Sequence, residues 1–214
     1  MASKQETFVI VDTGCANLSS VKFAIERLGF EITISDDFNI IAAADRVILP
    51  GVGNAKHAMA NIKAKGLDKL LPTLTQPVLG FCLGMQLMTD SSVEGSDNHT
   101  VDCLGVIPTQ VLPLASNGER LPHMGWNTLV NLSNHPIFAD IAEDEYVYFV
   151  HSFAAPVSQY TIAQCQYGSY FSAAIAYKNF VGCQFHPERS GKAGSKIIKN
   201  FLTMEKSTLE SFSL

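Results

Sequence analysis

The sequence predicts an α/β fold: a mixed sheet with a parallel core, an antiparallel extension and helices on both faces. Three observations predict it. Short apolar runs alternate with stretches of helical period through the N-terminal part of the chain. Segments rich in β-branched and aromatic residues then follow one another from about Gly105 onward, separated by tight turns. An amphipathic stretch returns near the end. Strand–helix alternation implies crossover connections, and these give parallel strands covered on both faces.

The elements follow in order. Phe8-Val9-Ile10-Val11 is uniformly apolar, as a strand buried on both faces is, and it stops at Asp12 and Gly14. Leu18, Val21, Ile25 and Leu28 recur at helical spacing until Gly29 ends the pattern. Glu31-Ile32-Thr33-Ile34 alternates like a strand, and Arg46-Val47-Ile48-Leu49 reads as the next, closed by Pro50-Gly51. Residues 55–65 read as a helix with Gly66 at its end, residues 77–81 as a buried strand, and residues 83–89 as the start of a further helix.

Beyond Gly105, residues 106–114, 126–130, 146–150, 160–166 and 173–184 carry strand composition. Turns such as Ser116-Asn117-Gly118 and Tyr177-Lys178-Asn179 divide several of them. This half is expected to be mostly antiparallel strand extending the sheet. A last helix over 193–206 sets Ile197, Ile198, Phe201 and Leu202 on one face, and residues 1–6 and 207–214 read as frayed tails. No repeat, low-complexity tract or linker interrupts the chain, so one domain over 1–214 is expected.

Composition narrows the partners. An apolar fraction of 47% with 16% charged residues is that of a soluble globular protein. A net charge of −5 speaks against nucleic acid or anionic lipid as a partner. No apolar run approaches the length of a membrane span, and MASKQET lacks the apolar core of a signal peptide. The five cysteines are odd in number and lack C-x-x-C spacing, and the six histidines lack H-x-x-x-H spacing. Neither a metal nor another cofactor is expected, and the compartment is expected to be reducing, hence cytoplasmic.

One stretch raises the question of chemistry. In GFCLGMQ, residues 80–86, Cys82 sits between two glycines where a buried strand turns into a helix. This has the G-x-[nucleophile]-x-G form of a nucleophile elbow, whose glycines relieve crowding of the backbone at a sharp turn. The competing reading is a packed, inert cysteine, and the elbow alone leaves both open. A helix dipole is worth at most about 2 kcal/mol, roughly 1.5 pH units on a thiol that ordinarily titrates near 8.5. Such a thiol stays mostly protonated at neutral pH, so a nucleophile there needs a base.

The chain offers one in Phe185-His186-Pro187-Glu188. Pro187 biases His186 toward extended backbone, which sets residues 186 and 188 on one side. Glu188 is then placed to accept from one imidazole nitrogen and leave the other for Cys82. A loop histidine beside a surface glutamate is the bland alternative. His57, His99, His123 and His135 lack a comparable partner and read as surface or packing residues, while His151, at the end of an apolar strand, is within reach of a site. The glycines of Leu49-Pro50-Gly51-Val52-Gly53 permit close approach, so an amide of Gly51, Val52 or Gly53 can join the N–H of Leu83 in an oxyanion hole. A plain turn is the alternative, and the absence of G-x-x-x-x-G-K-[ST] leaves a phosphate loop weakly supported.

PGVG, GFCLGMQ and FHPE, in this order, resemble the class I glutamine amidotransferases, the Cys-His-Glu glutaminases, over residues 8–202. The resemblance implies their flavodoxin-like mixed sheet. Ile10-Val11-Asp12 with Asn17-Leu18-Ser19-Ser20-Val21, Pro122-His123-Met124-Gly125-Trp126-Asn127 and Tyr148-Phe149-Val150-His151-Ser152 look like the glutaminase subunits of imidazole glycerol phosphate synthases. The chain departs from that family at Thr13-Gly14-Cys15-Ala16 and Asn54-Ala55. The resemblance implies Cys82 as nucleophile, His186 as base, Glu188 as its orienting carboxylate, and Gln86 with His151, Ser152 and Phe153 as contacts for glutamine.

It also implies a partner. Ammonia would pass to a separate cyclase subunit, a (β/α)8 barrel that makes imidazole glycerol phosphate and an aminoimidazole nucleotide in histidine biosynthesis. Such a barrel takes about 250 residues, so the 214 here are expected to form one half of a heterodimer. A glutaminase serving another synthase, a non-catalytic regulatory relative and a cysteine peptidase are the rival readings.

Overall fold

The computed structural model describes residues 6–14, 17–95 and 100–205. The expected tail at 207–214 and all but Glu6 of the one at 1–6 lie outside these residues, as do Cys15 and His99. In chain order the elements are β1 (Phe8–Val11), α1 (Leu18–Glu26), β2 (Thr33–Ser35), α2 (Phe38–Ala43), β3 (Arg46–Leu49), α3 (Ala55–Ala64), α4 (Leu67–Leu70), β4 (Val78–Phe81), α5 (Leu83–Leu87) and β5 (Thr89–Ser92). Then come β6 (Val101–Asp102), β7 (Ile107–Pro113), β8 (His123–Thr128), β9 (Tyr146–His151), β10 (Phe153–Ala154), β11 (Thr161–Tyr167), β12 (Ser169–Tyr177), β13 (Phe180–Cys183) and α6 (Gly191–Thr203).

The largest sheet has seven strands in the order β11-β12-β13-β4-β3-β1-β2. From β13 to β2 every pairing is parallel, and β12 and β11 add antiparallel strands at one side. Alternation within the apolar runs explains why both faces are covered. Ile10, Ile48, Leu79 and Phe81 point to the face where α1 and α6 bury Val21, Ile25, Ile197, Ile198, Phe201 and Leu202. Val9, Val11, Val47, Leu49 and Val78 point to the other face, against Ile41, Met59, Ile62, Leu67 and Met85 of α2 to α5. Each such side chain contributes about 1.5–3 kcal/mol through burial.

The second half corrects one expectation. Only β11, β12 and β13 extend the main sheet. β7 belongs to a separate sheet of order β10-β7-β5-β6, where it runs parallel to β5. β8 and β9 form a two-stranded antiparallel ribbon. Strand composition identifies these segments, but their partners are set by tertiary packing. A second correction concerns the helix after Cys82, which ends at Leu87. Thr89 Oγ1 donates to the Gln86 carbonyl at 2.7 Å, and Thr89 itself begins β5.

Candidate active site

Three motifs leave the main sheet at one edge. Leu49 pairs with Gly80 across β3 and β4, and Cys183 pairs with Phe81 across β13 and β4. The glycine loop, Cys82 and the segment after Cys183 therefore emerge side by side at the carboxyl ends of adjacent parallel strands, the edge at which open α/β sheets bind ligands.

Cys82 has φ 49° and ψ −110°, a conformation an L residue rarely adopts. Its N–H donates to the Cys183 carbonyl at 2.7 Å, and its carbonyl accepts from Gln86 N–H at 3.2 Å, so both flanks of the bend are tied down. The two flanking glycines serve different ends. A Cβ on Gly80 would lie 2.7 Å from Met85 N and 2.8 Å from Gly84 C, so Gly80 lets α5 fold back over its own strand. A Cβ on Gly84 would lie 1.8 Å from the Leu49 carbonyl oxygen. Gly84 thus clears space for β3 and its loop, and not for the elbow's own backbone as the sequence reading has it. A Cβ on Gly51 would sit 2.5 Å from Gly84 N and 2.9 Å from Leu83, which brings the glycine loop onto the start of α5. Gly51 is buried, Val52 half-buried and Gly53 exposed, the last with φ 98°. As the first residue of α5, Leu83 has an N–H with no acceptor inside its helix.

His186 is extended (φ −100°, ψ 94°), and Pro187 opens the 3-10 turn Pro187–Arg189 that carries Glu188. His186 Nδ1 meets Glu188 Oε1 at 2.8 Å, with both side chains almost wholly buried. Cys82 is the other neighbour that acts on the imidazole. With Nδ1 occupied by the carboxylate, Nε2 is the nitrogen left for the sulfur. Burial pulls the imidazole downward, but the influence of Cys82 and Glu188 beside it outweighs burial, and the group is raised to about 10. Backbone contacts fix the histidine in place. Its N–H donates to Tyr148 O at 2.9 Å, and Ser190 Oγ donates to the His186 carbonyl at 2.7 Å while accepting from Tyr148 N–H.

The remaining expected residues gather around one carbonyl. Gln86 Nε2 donates to Phe153 O at 2.9 Å and to Gln184 Oε1 at 2.9 Å. His151 Nδ1 donates to the same Phe153 O at 2.9 Å. Ser152 is half-buried, and its carbonyl accepts from Leu114 N–H. His123, read from sequence as lacking a partner, has one: its Nδ1 lies 3.0 Å from His151 Nε2. It is stacked between Phe149 and Tyr167. Burial pushes His123 down to about 4 and His151 to about 3, so both are neutral at pH 7. His135 is buried too, and its Nδ1 accepts from Ile137 N–H. His57 lies on exposed helix surface near Asn61.

Two residues at the site escape sequence reasoning. Asn17 Nδ2 donates to Glu188 Oε1 at 3.0 Å from the N-cap of α1; its position just before a helical pattern was the available signal. Gln184 Nε2 lies 3.7 Å from Cys82 Sγ; a polar residue closing an apolar strand was the signal there. Burial disfavours ionisation of the other described cysteines. Burial pushes Cys103 and Cys165 up to about 12, and it raises Cys183 as well. Among the described residues no group of His, Cys, Asp or Glu could hold a metal ion, and no helix is long and apolar enough to cross a membrane.

A family model described as glutamine amidotransferase class-I matches residues 9–204. The chain is 68% identical over 212 residues to the imidazole glycerol phosphate synthase subunit HisH of Colwellia psychrerythraea, covering 94% of both chains. It is 54% identical over 212 residues to the HisH subunit of Shewanella sediminis, covering 99% of this chain and 97% of that one. A solved structure of a glutamine amidotransferase shares the fold, with a TM-score of 0.68 at 16% identity over 91% of this chain and 96% of that one. The match thus extends well past the three motifs to nearly the whole length, and the chain belongs to the class-I glutamine amidotransferases and, within them, to the HisH subunits of imidazole glycerol phosphate synthase.

Proposed function

We propose that the chain hydrolyses glutamine to glutamate and ammonia, with Cys82 as nucleophile, and delivers the ammonia to a cyclase subunit. The observation that carries this reading is the buried pairing of Glu188 and His186 beside Cys82, with Glu188 Oε1 2.8 Å from His186 Nδ1 and Cys82 helping to raise the imidazole. His186, raised to about 10, already holds the thiol's proton as an imidazolium at neutral pH, and the thiolate sulfur attacks the side-chain amide carbon of glutamine. Glu188 holds the tautomer and stabilises the imidazolium. The carbonyl electrons move onto oxygen, and the oxyanion is received by Leu83 N–H and an amide of Gly51, Val52 or Gly53. Losing one such donor costs about 2.7–4 kcal/mol of barrier. Collapse expels the amine, which His186 protonates to ammonia. Water, deprotonated by the same imidazole, then hydrolyses the γ-glutamyl thioester. Gln86, His151, Ser152 and Phe153 line the glutamine site.

The relatives are named as subunits of a synthase, and this chain is read as working with the corresponding partner. That partner is a cyclase with a (β/α)8 barrel, which uses the ammonia to make imidazole glycerol phosphate and an aminoimidazole nucleotide in histidine biosynthesis. A glutaminase assay tests the reading: weak hydrolysis by the chain alone, and strong stimulation by the cyclase with its nucleotide ligand. Full activity without the partner sinks the coupling, and no activity in either state sinks the glutaminase reading.

A further inference from the structure

Gln184 follows β13, is 0% exposed, and plays no part in the steps above. Shape alone does not tell an amide's oxygen from its nitrogen; the partners decide. Here one backbone carbonyl decides for two residues. Phe153 O only accepts, so the Gln86 atom at 2.9 Å from it is the nitrogen. The second N–H of that nitrogen goes to Gln184 at 2.9 Å, so Gln184 turns its oxygen toward Gln86. Its nitrogen is left facing Cys82 Sγ at 3.7 Å. The parallel register makes this juxtaposition rigid, because Cys183 pairs with Phe81 and the next residues are Gln184 and Cys82.

The sulfur has opposing neighbours. Val150 O, 3.9 Å away, is an acceptor and favours the protonated thiol. A donor N–H favours the thiolate. The five-residue α5 offers a weaker dipole than a long helix, so a donor at the sulfur has more to supply. We propose that Gln184 stabilises the Cys82 thiolate through its side-chain N–H, and that Gln86 is the positioning residue that fixes its orientation. This rests on the reading of Cys82 as nucleophile.

Iodoacetamide alkylation of Cys82 in the full chain, followed by peptide mass spectrometry across a pH series, tests it. Gln184→Met keeps the volume and removes the donor, and it is expected to move the midpoint of the alkylation profile up by about one pH unit. Gln86→Met leaves Gln184 in place but removes the donor that fixes its amide, without adding charge. Gln184 is then free to turn its oxygen toward the sulfur, and the midpoint is expected to rise, by less than in Gln184→Met. A midpoint that stays put in both variants overturns the proposal and makes Gln184 a packing residue. The two readings fail separately. If alkylating Cys82 in the parent leaves glutamine hydrolysis intact, the nucleophile assignment itself is wrong, whatever the variants do.

Discussion

His186 and His151 are both buried, 4% and 6% exposed, and close enough to influence each other's charge, yet they are held in opposite states. His186 pairs with a buried carboxylate and a thiol, and is raised. His151 pairs with a neutral imidazole and a backbone carbonyl; burial pushes it down, opposed only by the Phe153 carbonyl. Burial is common to both, so the neighbours' charge makes the difference. A raised and a depressed imidazole therefore arise from the same residue type within one site.

Removing that charge is the most severe way to break the contrast. Glu188→Gln keeps the shape but replaces the carboxylate and permits the wrong tautomer. It is expected to lower kcat by roughly 10³–10⁴-fold, as orienting carboxylates of this kind do. A steady-state assay with the cyclase present measures it, and a loss under tenfold would mean that Glu188 does not hold His186.

Acid tests the other side of the comparison. Between about pH 6.5 and pH 4 the unfolded chain protonates its histidines, whereas folded His123, His135 and His151 resist. Each then costs up to about 1.4 kcal/mol of stability per pH unit as pH falls. His186 has the opposite sign: its contribution is complete below about 6.5 and is lost only as pH rises through about 10. Urea unfolding should show a lower midpoint at pH 5 than at pH 7, with a shallower dependence in His151→Phe. Equal pH dependence in parent and variant would contradict the buried neutral pair.

The smallest expected effect lies at Asn17, whose amide supports Glu188 from α1. Asn17→Ala is expected to lower kcat/KM about fivefold, the loss of one hydrogen bond near 1 kcal/mol. Stability measured alongside separates a loosened triad from a loosened helix.

The site was legible where its chemistry is local. His186, Pro187 and Glu188 are contiguous, and the two glycines flanking Cys82 announce a bend. Gln184 and Asn17 were not legible, because each acts through a partner distant in sequence: Cys82 lies 102 residues from Gln184, and Glu188 171 residues from Asn17. The fold behaves in the same way. β3 and β4 read correctly because strands buried on both faces show apolar runs, here Val47-Ile48-Leu49 and Val78-Leu79-Gly80-Phe81. Helix α2 went unseen since its six residues are too few to show a period, although Asp37 caps it through Asn39 N–H and Ile40 N–H. The β8–β9 ribbon has strand composition, but nothing in that composition says that the two strands pair with each other.

Covalent trapping tests the central claim most directly. A diazoketone analogue of glutamine, added to the chain with its cyclase, is expected to label Cys82 alone, in step with the loss of glutamine hydrolysis, and excess glutamine is expected to protect. Labelling at another residue, or full labelling of Cys82 with hydrolysis intact, would contradict the account.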